Sequence, residues 1–304
     1  MTAVRDTAVV AGYRSGWWLV RRLPAPVTRF AFRTAADIAW RRDGRGARRL
    51  RWNLARVCPG LDERALDRLV RDALRSYLRY WAEAFRLPAL TGEQVQASFH
   101  LDGVEAVRAT TADGRGVVLA LPHLANYDLA AAWFAYTTEG GLLTIAERLR
   151  PVALFDAFVG YRSRIGMEII AADDPTAFSA LQRRVEQAGV VALVADRDMS
   201  RGGVEVQFFG HPARMPPGPA ALALRTGAAL RPAALWNESD RGPLGRSRGQ
   251  VGPEIPVTSI RAATQALADA FAASIRAAPA DWHMLQRIWA DMPAEGRRRS
   301  VRNR

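Results

Sequence analysis

The 304-residue sequence holds a single cysteine, Cys58, so it has neither a disulfide framework nor a thiolate cluster for zinc. Its four histidines, His100, His123, His211 and His283, stand far apart without an HExxH pattern, and a metal centre is not expected. No charge-free apolar run reaches the roughly 18 residues of a membrane span, and no stretch has the pattern of a signal peptide. The longest apolar region, around 116–146, is interrupted by His123, Asp128, Glu139 and Gly140–Gly141. Glycine-rich loops at 202–203 and 242–249 lack nucleotide-fingerprint spacing, which argues against phosphate-loop chemistry. Lysine is absent altogether, and coding bias toward arginine accounts for it.

What is abundant is arginine at the two ends. Residues 1–60 carry 13 arginines against three acids (Asp6, Asp37, Asp43), a net of +10, and residues 297–304 carry five arginines and no acid. The body between them is close to neutral. The N-terminal segment also holds Trp17, Trp18, Trp40 and Trp52, four of the nine tryptophans. Arginine mixed with tryptophan suits a membrane–water interface, where cations meet anionic headgroups and indole rings sit at headgroup depth. Nucleic acid is not expected as a partner, because no binding motif occurs and the basic residues cluster at the ends and not across a core face. The expected location is the cytoplasmic face of the cell membrane, with the chain peripheral on an anionic surface.

Residues 64–86 repeat apolar side chains at intervals of three and four, from Leu66 through Leu74 and Trp81 to Phe85, with arginines and acids on the other face. Gly16–Arg42 is a looser mix of Trp, Phe and Arg broken by Pro24 and Pro26, which suits interfacial helices. From about 112 apolar runs alternate with helical stretches. Gly116–Leu121, Leu142–Ala146, Met167–Ala171, Val190–Ala195, Val204–Phe209 and Ala229–Trp236 read as strands. Ala125–Thr137, Val152–Arg164, Thr176–Gln187 and Pro219–Thr226 read as the helices between them. A short strand at Ile255–Val257 follows a polar 237–254 loop, and a helix over Ser259–Ala277 closes the chain. The fold class is α/β, a mostly parallel central sheet flanked by helices. The expected organisation is a helical, membrane-facing region over 1–110, an α/β core over 111–292 and a disordered basic tail over 293–304.

In such sheets ligands gather beyond the carboxyl ends of the strands. His123 follows one strand, Glu147 the next and Asp196 a third, which points to a shared site. His123 and Asp128 lie five apart in Leu-Pro-His-Leu-Ala-Asn-Tyr-Asp, a base and a carboxylate at the start of a helix. Asp128 is expected to accept a hydrogen bond from one ring nitrogen, leaving the other to take a proton from an attacking alcohol. Leu129–Trp133, Phe208–Phe209 and Ala220–Leu224 could line an acyl channel or simply fill the core.

This His-x4-Asp arrangement resembles that of the glycerolipid and lipid A acyltransferases. Six ordered stretches narrow the likeness: LPHLANYDLA, TIAERLRP, FVGYRSRIGMEI, LVADRDMSRGGVEVQFFG, RMPPGPAALALRTGAAL and DWHMLQRIW. Together they resemble the actinobacterial phosphatidylinositol mannoside acyltransferases, relatives of the lipid A late acyltransferases, over most of residues 115–290. The resemblance implies acyl-CoA as donor substrate, a mannosylated phosphatidylinositol as acceptor and no further cofactor. It makes His123 the general base, Asp128 its orienter and Asp196 the acid that pairs with the histidine. Glutamate is the usual acid there, so the shorter Asp196 is expected to need a water to reach the ring. Arg162, Glu147 and Arg164 would help hold substrate, and Gly202 and Arg225 would contact acyl-CoA. The alternatives are a lipid A-type enzyme using acyl carrier protein, or a non-catalytic membrane-binding module of the same fold.

Overall fold

Nine strands run through the described part of the chain: β1 (Phe99–Asp102), β2 (Val117–Leu121), β3 (Leu142–Ala146), β4 (Met167–Ala171), β5 (Val190–Val194), β6 (Val204–Phe208), β7 (His211–Met215), β8 (Ala229–Ser239) and β9 (Arg246–Val251). The computed structural model describes residues 15–291 except 139, 149–151, 165, 199–201, 241, 243 and 290. Seven strands form one sheet in the order β1-β9-β8-β2-β5-β3-β4. Every neighbouring pair is parallel except β8 with β9. All five residues of β2 are buried, as a strand covered on both faces requires, and its run of Val, Leu and Ala supplies no polar face.

The register fixes the site. Leu121 at the end of β2 is paired with Val194 at the end of β5. Residues two steps past each end, His123 and Asp196, therefore leave the sheet side by side.

The helical N-terminal part shares the sheet's core. The helix Glu63–Arg86 starts on Asp62, whose side chain accepts from the Ala65 N–H at 2.7 Å, and it buries Leu66, Val70, Ala73, Leu74, Tyr80 and Glu83. Asp37 on the helix Ala25–Arg42 takes paired hydrogen bonds from both Arg71 and Arg75. Those two guanidiniums hold its carboxyl well below the usual carboxylate range. No helix among the described residues is long and apolar enough to cross a membrane.

Several expectations change. The 237–254 stretch, read as a loop, holds the end of β8 and all of β9, where Ser247 and Gly249 face inward so that no apolar alternation marks the strand. Val204–Phe208 stands outside the main sheet, in an antiparallel hairpin with β7. Ile255 makes only an isolated bridge to Leu230. The boundary drawn near 110 cuts the helix Val104–Ala112, and β1 precedes it as an edge strand of the central sheet. Of the four N-terminal tryptophans only Trp18 is well exposed; Trp17 is buried, Trp40 donates to Asp67 and Trp52 packs on Trp289. The first 14 residues and the arginine-rich tail after 291 lie outside the described residues.

Candidate active site

Pro122 ends the β2 ladder, and the chain turns through His123, Leu124 and Ala125 before Asn126 starts the next helix. Asn126 accepts from the Leu129 N–H at 2.9 Å through its side chain and donates to Glu83 at 2.9 Å. Ala125 sits at φ 47°, a left-handed conformation that non-glycine residues adopt only when held there. The hold comes from the C-terminal segment. The Ala125 N–H donates to the Asp281 carbonyl at 2.9 Å, and the His283 N–H donates to the His123 carbonyl at 2.8 Å.

His123 and Asp196 are in direct contact, with Nδ1 2.5 Å from Oδ1. The His123 backbone N–H and the Trp282 indole N–H both donate to the second oxygen, Oδ2, at 3.0 and 2.9 Å. Asp196 is fully buried, which would raise its pKa. The charge and ring hydrogen bond of His123, with the donors from Trp282 and the His123 backbone, outweigh burial and hold it below the usual carboxylate range. An ionised Asp196 places a proton on Nδ1, so in the neutral ring it is Nε2 that carries the lone pair. The His123 side chain keeps 26% of its surface exposed, and its ring has no other hydrogen-bond partner among the described residues. The pair can therefore take a proton from an incoming hydroxyl. No bridging water is needed: the shorter acid spans the gap because paired strand ends bring the two backbones together.

Asp128 does not touch the ring. Starting the helix at Tyr127 turns it inward, where both oxygens pair with Arg162 at 2.9 and 3.1 Å and Oδ2 also accepts from the Tyr80 hydroxyl at 3.1 Å. Burial alone would lower the Arg162 pKa, but Asp128 and the two tyrosines raise it above the ordinary guanidinium value. Tyr127 is pushed up to about 12, first by burial and then by the Asp128 charge. Asp128 thus ties the start of its helix to the helix Val152–Arg164.

The other expected site residues are spread out. Glu147 follows β3 and lies 3.9 Å from Arg197, the neighbour of Asp196. Arg164 is exposed, and Gly202 is exposed in the β5–β6 connection. Arg225 is exposed near the end of the helix Gly218–Thr226, just before β8 begins. Ala229 there pairs with Val117 at the start of β2, so Arg225 lies toward the opposite end of the strands from His123. Leu129, Ala132, Phe208, Ala220 and Leu222 are fully buried core.

Sequence reading missed Tyr80, Glu83 and Ser76 on the long helix, Asn237 on β8, and the indole of Trp282. Glu83 is buried and its pKa is raised by that burial, against the pull of Arg79 and Asn126. Ser76 donates to Asp281 at 2.6 Å and lies 2.9 Å from His283 Nε2, while Asn237 donates to both Ser76 and Asp281. Ser76, Glu83, Asn237 and Asp281 also line a cleft of about 510 Å³, which shares no lining residue with the His123–Asp196 pair.

Burial, with a smaller contribution from His123, pushes His283 down to about 3. Above the unfolded value near 6.5 the group is neutral in both states and its contribution to stability is complete. Between 6.5 and 3 the unfolded chain takes up a proton that the folded chain refuses. Stability from this group should then fall by up to about 1.4 kcal/mol per pH unit as the medium is acidified. His283→Asn is expected to flatten that part of the decline. Urea midpoints at pH 7 and pH 5 for both proteins check this, and parallel declines would count against it.

The α/β sheet thus carries a buried acid paired with a partly exposed histidine at adjoining strand ends. The family described as bacterial lipid A biosynthesis acyltransferase matches residues 5–291, and the chain belongs to that family. It is an O-acyltransferase. More narrowly, it is 43% identical over 310 residues to the phosphatidylinositol mannoside acyltransferase of Mycobacterium tuberculosis strain H37Rv, a match covering all of this chain and 95% of that protein. The protein of the same name from Mycolicibacterium smegmatis is 42% identical over 293 residues, covering 95% of this chain and 94% of its own length.

Proposed function

We propose that this acyltransferase moves a long acyl chain from acyl-CoA to a mannose hydroxyl of a phosphatidylinositol mannoside, with His123 as general base. The observation that carries the mechanism is the 2.5 Å contact between His123 Nδ1 and the buried Asp196, which leaves Nε2 free at a partly exposed ring. Nε2 removes the hydroxyl proton as the mannose oxygen attacks the thioester carbonyl carbon. The tetrahedral intermediate collapses with cleavage of the C–S bond, and the imidazolium returns the proton to the departing CoA sulfur. Attack is direct: among the described residues no serine hydroxyl or cysteine thiol is hydrogen-bonded to the His123 ring, whose Nδ1 is taken by Asp196. Full-length similarity to proteins of that name supports the acceptor.

The same reading puts the chain at a membrane surface, since both proposed substrates carry long acyl chains. Supporting it, Trp18, Leu19, Val27 and Phe30 are exposed among the arginines of residues 15–42, with Phe30 at 74%.

The test is mass-spectrometric product analysis with the mannolipid in anionic vesicles, supplied with palmitoyl-CoA or palmitoyl-acyl carrier protein. Acylated mannolipid from the CoA donor is the expected product. Turnover confined to the carrier-protein donor would move the chain to the lipid A type of chemistry, and no thioester consumption would leave a binding module. Serine at positions 18 and 30 is expected to slow the vesicle reaction; an unchanged rate would remove the surface role.

A further inference from the structure

We propose that Trp282 is a positioning residue for the His123–Asp196 pair: its indole N–H pins one oxygen of Asp196 so that the other faces the imidazole. This rests on His123 acting as the base.

A carboxylate on a single methylene turns easily about its last torsion, which is broad and roughly two-fold. Asp196 keeps an oxygen on the ring only while its carboxylate plane is held, because intermediate rotations swing both oxygens away from Nδ1. Oδ2 is held by two donors, the His123 backbone N–H at 3.0 Å and Trp282 Nε1 at 2.9 Å, and they arrive from separate segments of chain. The indole is itself immobile. Trp282 is fully buried, with ring centroids 6.2 Å from Phe208, 6.2 Å from Phe209 and 6.3 Å from Trp289.

The backbone around Trp282 braces the same loop. Leu124 and Trp282 form an antiparallel bridge, flanked by the Ala125–Asp281 and His283–His123 hydrogen bonds. The segment is anchored in turn from three directions. Asn237 and Ser76 satisfy the Asp281 carboxylate, and the Asn53 side chain donates to the Met284 carbonyl at 2.8 Å. Ser76, Asp281 and His283 have the composition of a nucleophile triad but not its connectivity. Asp281 bonds the serine and not the histidine, and His283 Nδ1 has no hydrogen-bond partner among the described residues. The trio works as a bracket, and Trp282, between Asp281 and His283, is the residue of that segment whose side chain reaches the reacting pair.

The indole also affects proton affinity. Removing its donor leaves Oδ2 with one hydrogen bond fewer, so the Asp196 charge is less stabilised and favours a protonated neighbour more strongly.

The decisive variant replaces Trp282 with β-(3-benzothienyl)alanine, which keeps the shape and has no N–H; Trp282→Phe is its conventional companion. With palmitoyl-CoA and the mannolipid, kcat is expected to fall about 10-fold, on the scale of losing one hydrogen bond to a charged group. Both KM values should stay within about 2-fold, because the fully buried indole presents no surface to a substrate. The acid limb of the kcat/KM profile should move up by roughly half a pH unit or more. A packing role alone would change melting temperature and leave that limb in place. An isosteric variant with wild-type kcat and an unmoved limb overturns the proposal. His123→Ala in the same assay keeps the two ideas apart: turnover retained there defeats the base assignment itself, whereas loss there with a normal Trp282 isostere defeats only this inference.

Discussion

His123→Ala is expected to lower kcat by about 10²–10⁴-fold while leaving both KM values within a few-fold, since a positioned general base is worth that much to proton transfer in the transition state. The ring is partly exposed and makes one side-chain hydrogen bond, so its removal opens little space and the fold should survive. Asp196→Asn should approach the same loss by a different route. The asparagine amide can present an N–H to Nδ1, which would shift the ring proton to Nε2 and take the lone pair away from the substrate. The partner is buried and pinned through its second oxygen, so the amide has little freedom to turn back. Steady-state kinetics on both variants, with circular dichroism to show that each is folded, decides the matter. His123→Ala turning over at more than about a tenth of the wild-type rate would be incompatible with a general base at this position.

The parts of this molecule that could be read from the sequence are those whose physics is local. Strands β2 and β5 are short apolar runs because both their faces are covered, and apolar runs are visible in one dimension. By contrast β9 buries a serine and a glycine, and β7 carries Pro212 as its second residue, so neither signals a strand by composition. The site shows the same division. Spacing along the chain suggested Asp128 as the partner of His123, but five residues that include a helix cap turn the two side chains apart. The acid that reaches the ring directly is 73 residues away, and the Leu121–Val194 register brings it there. Trp282 carried no signal beyond belonging to a family-like stretch. Its role depends on a bridge between Leu124 and the far end of the chain.

Asp128→Ala should act on the fold more than on the chemistry, with a stability loss of about 3–5 kcal/mol, the usual cost of leaving a buried ion without its partner. Arg162 keeps only 14% of its side chain exposed, and Asp128 keeps none. Truncation takes two hydrogen bonds and the facing charge from the buried guanidinium, and it removes the acceptor of the Tyr80 hydroxyl in a fully buried setting. The pair is not expected to be worth that sum against an apolar alternative, because two desolvated charges recover little more than their own desolvation. Asp128→Leu combined with Arg162→Met should therefore regain most of the stability that either single change loses. Urea denaturation of the two single variants and the double variant measures the coupling. Folded Asp128→Ala at low temperature should keep a far larger share of its kcat than His123→Ala does, because Asp128 faces Arg162 and Tyr80 instead of the base. If stability is unchanged and kcat falls as far as it does at position 123, then Asp128 belongs to the reaction, and the geometry of its buried pair is not what the motif exists to provide.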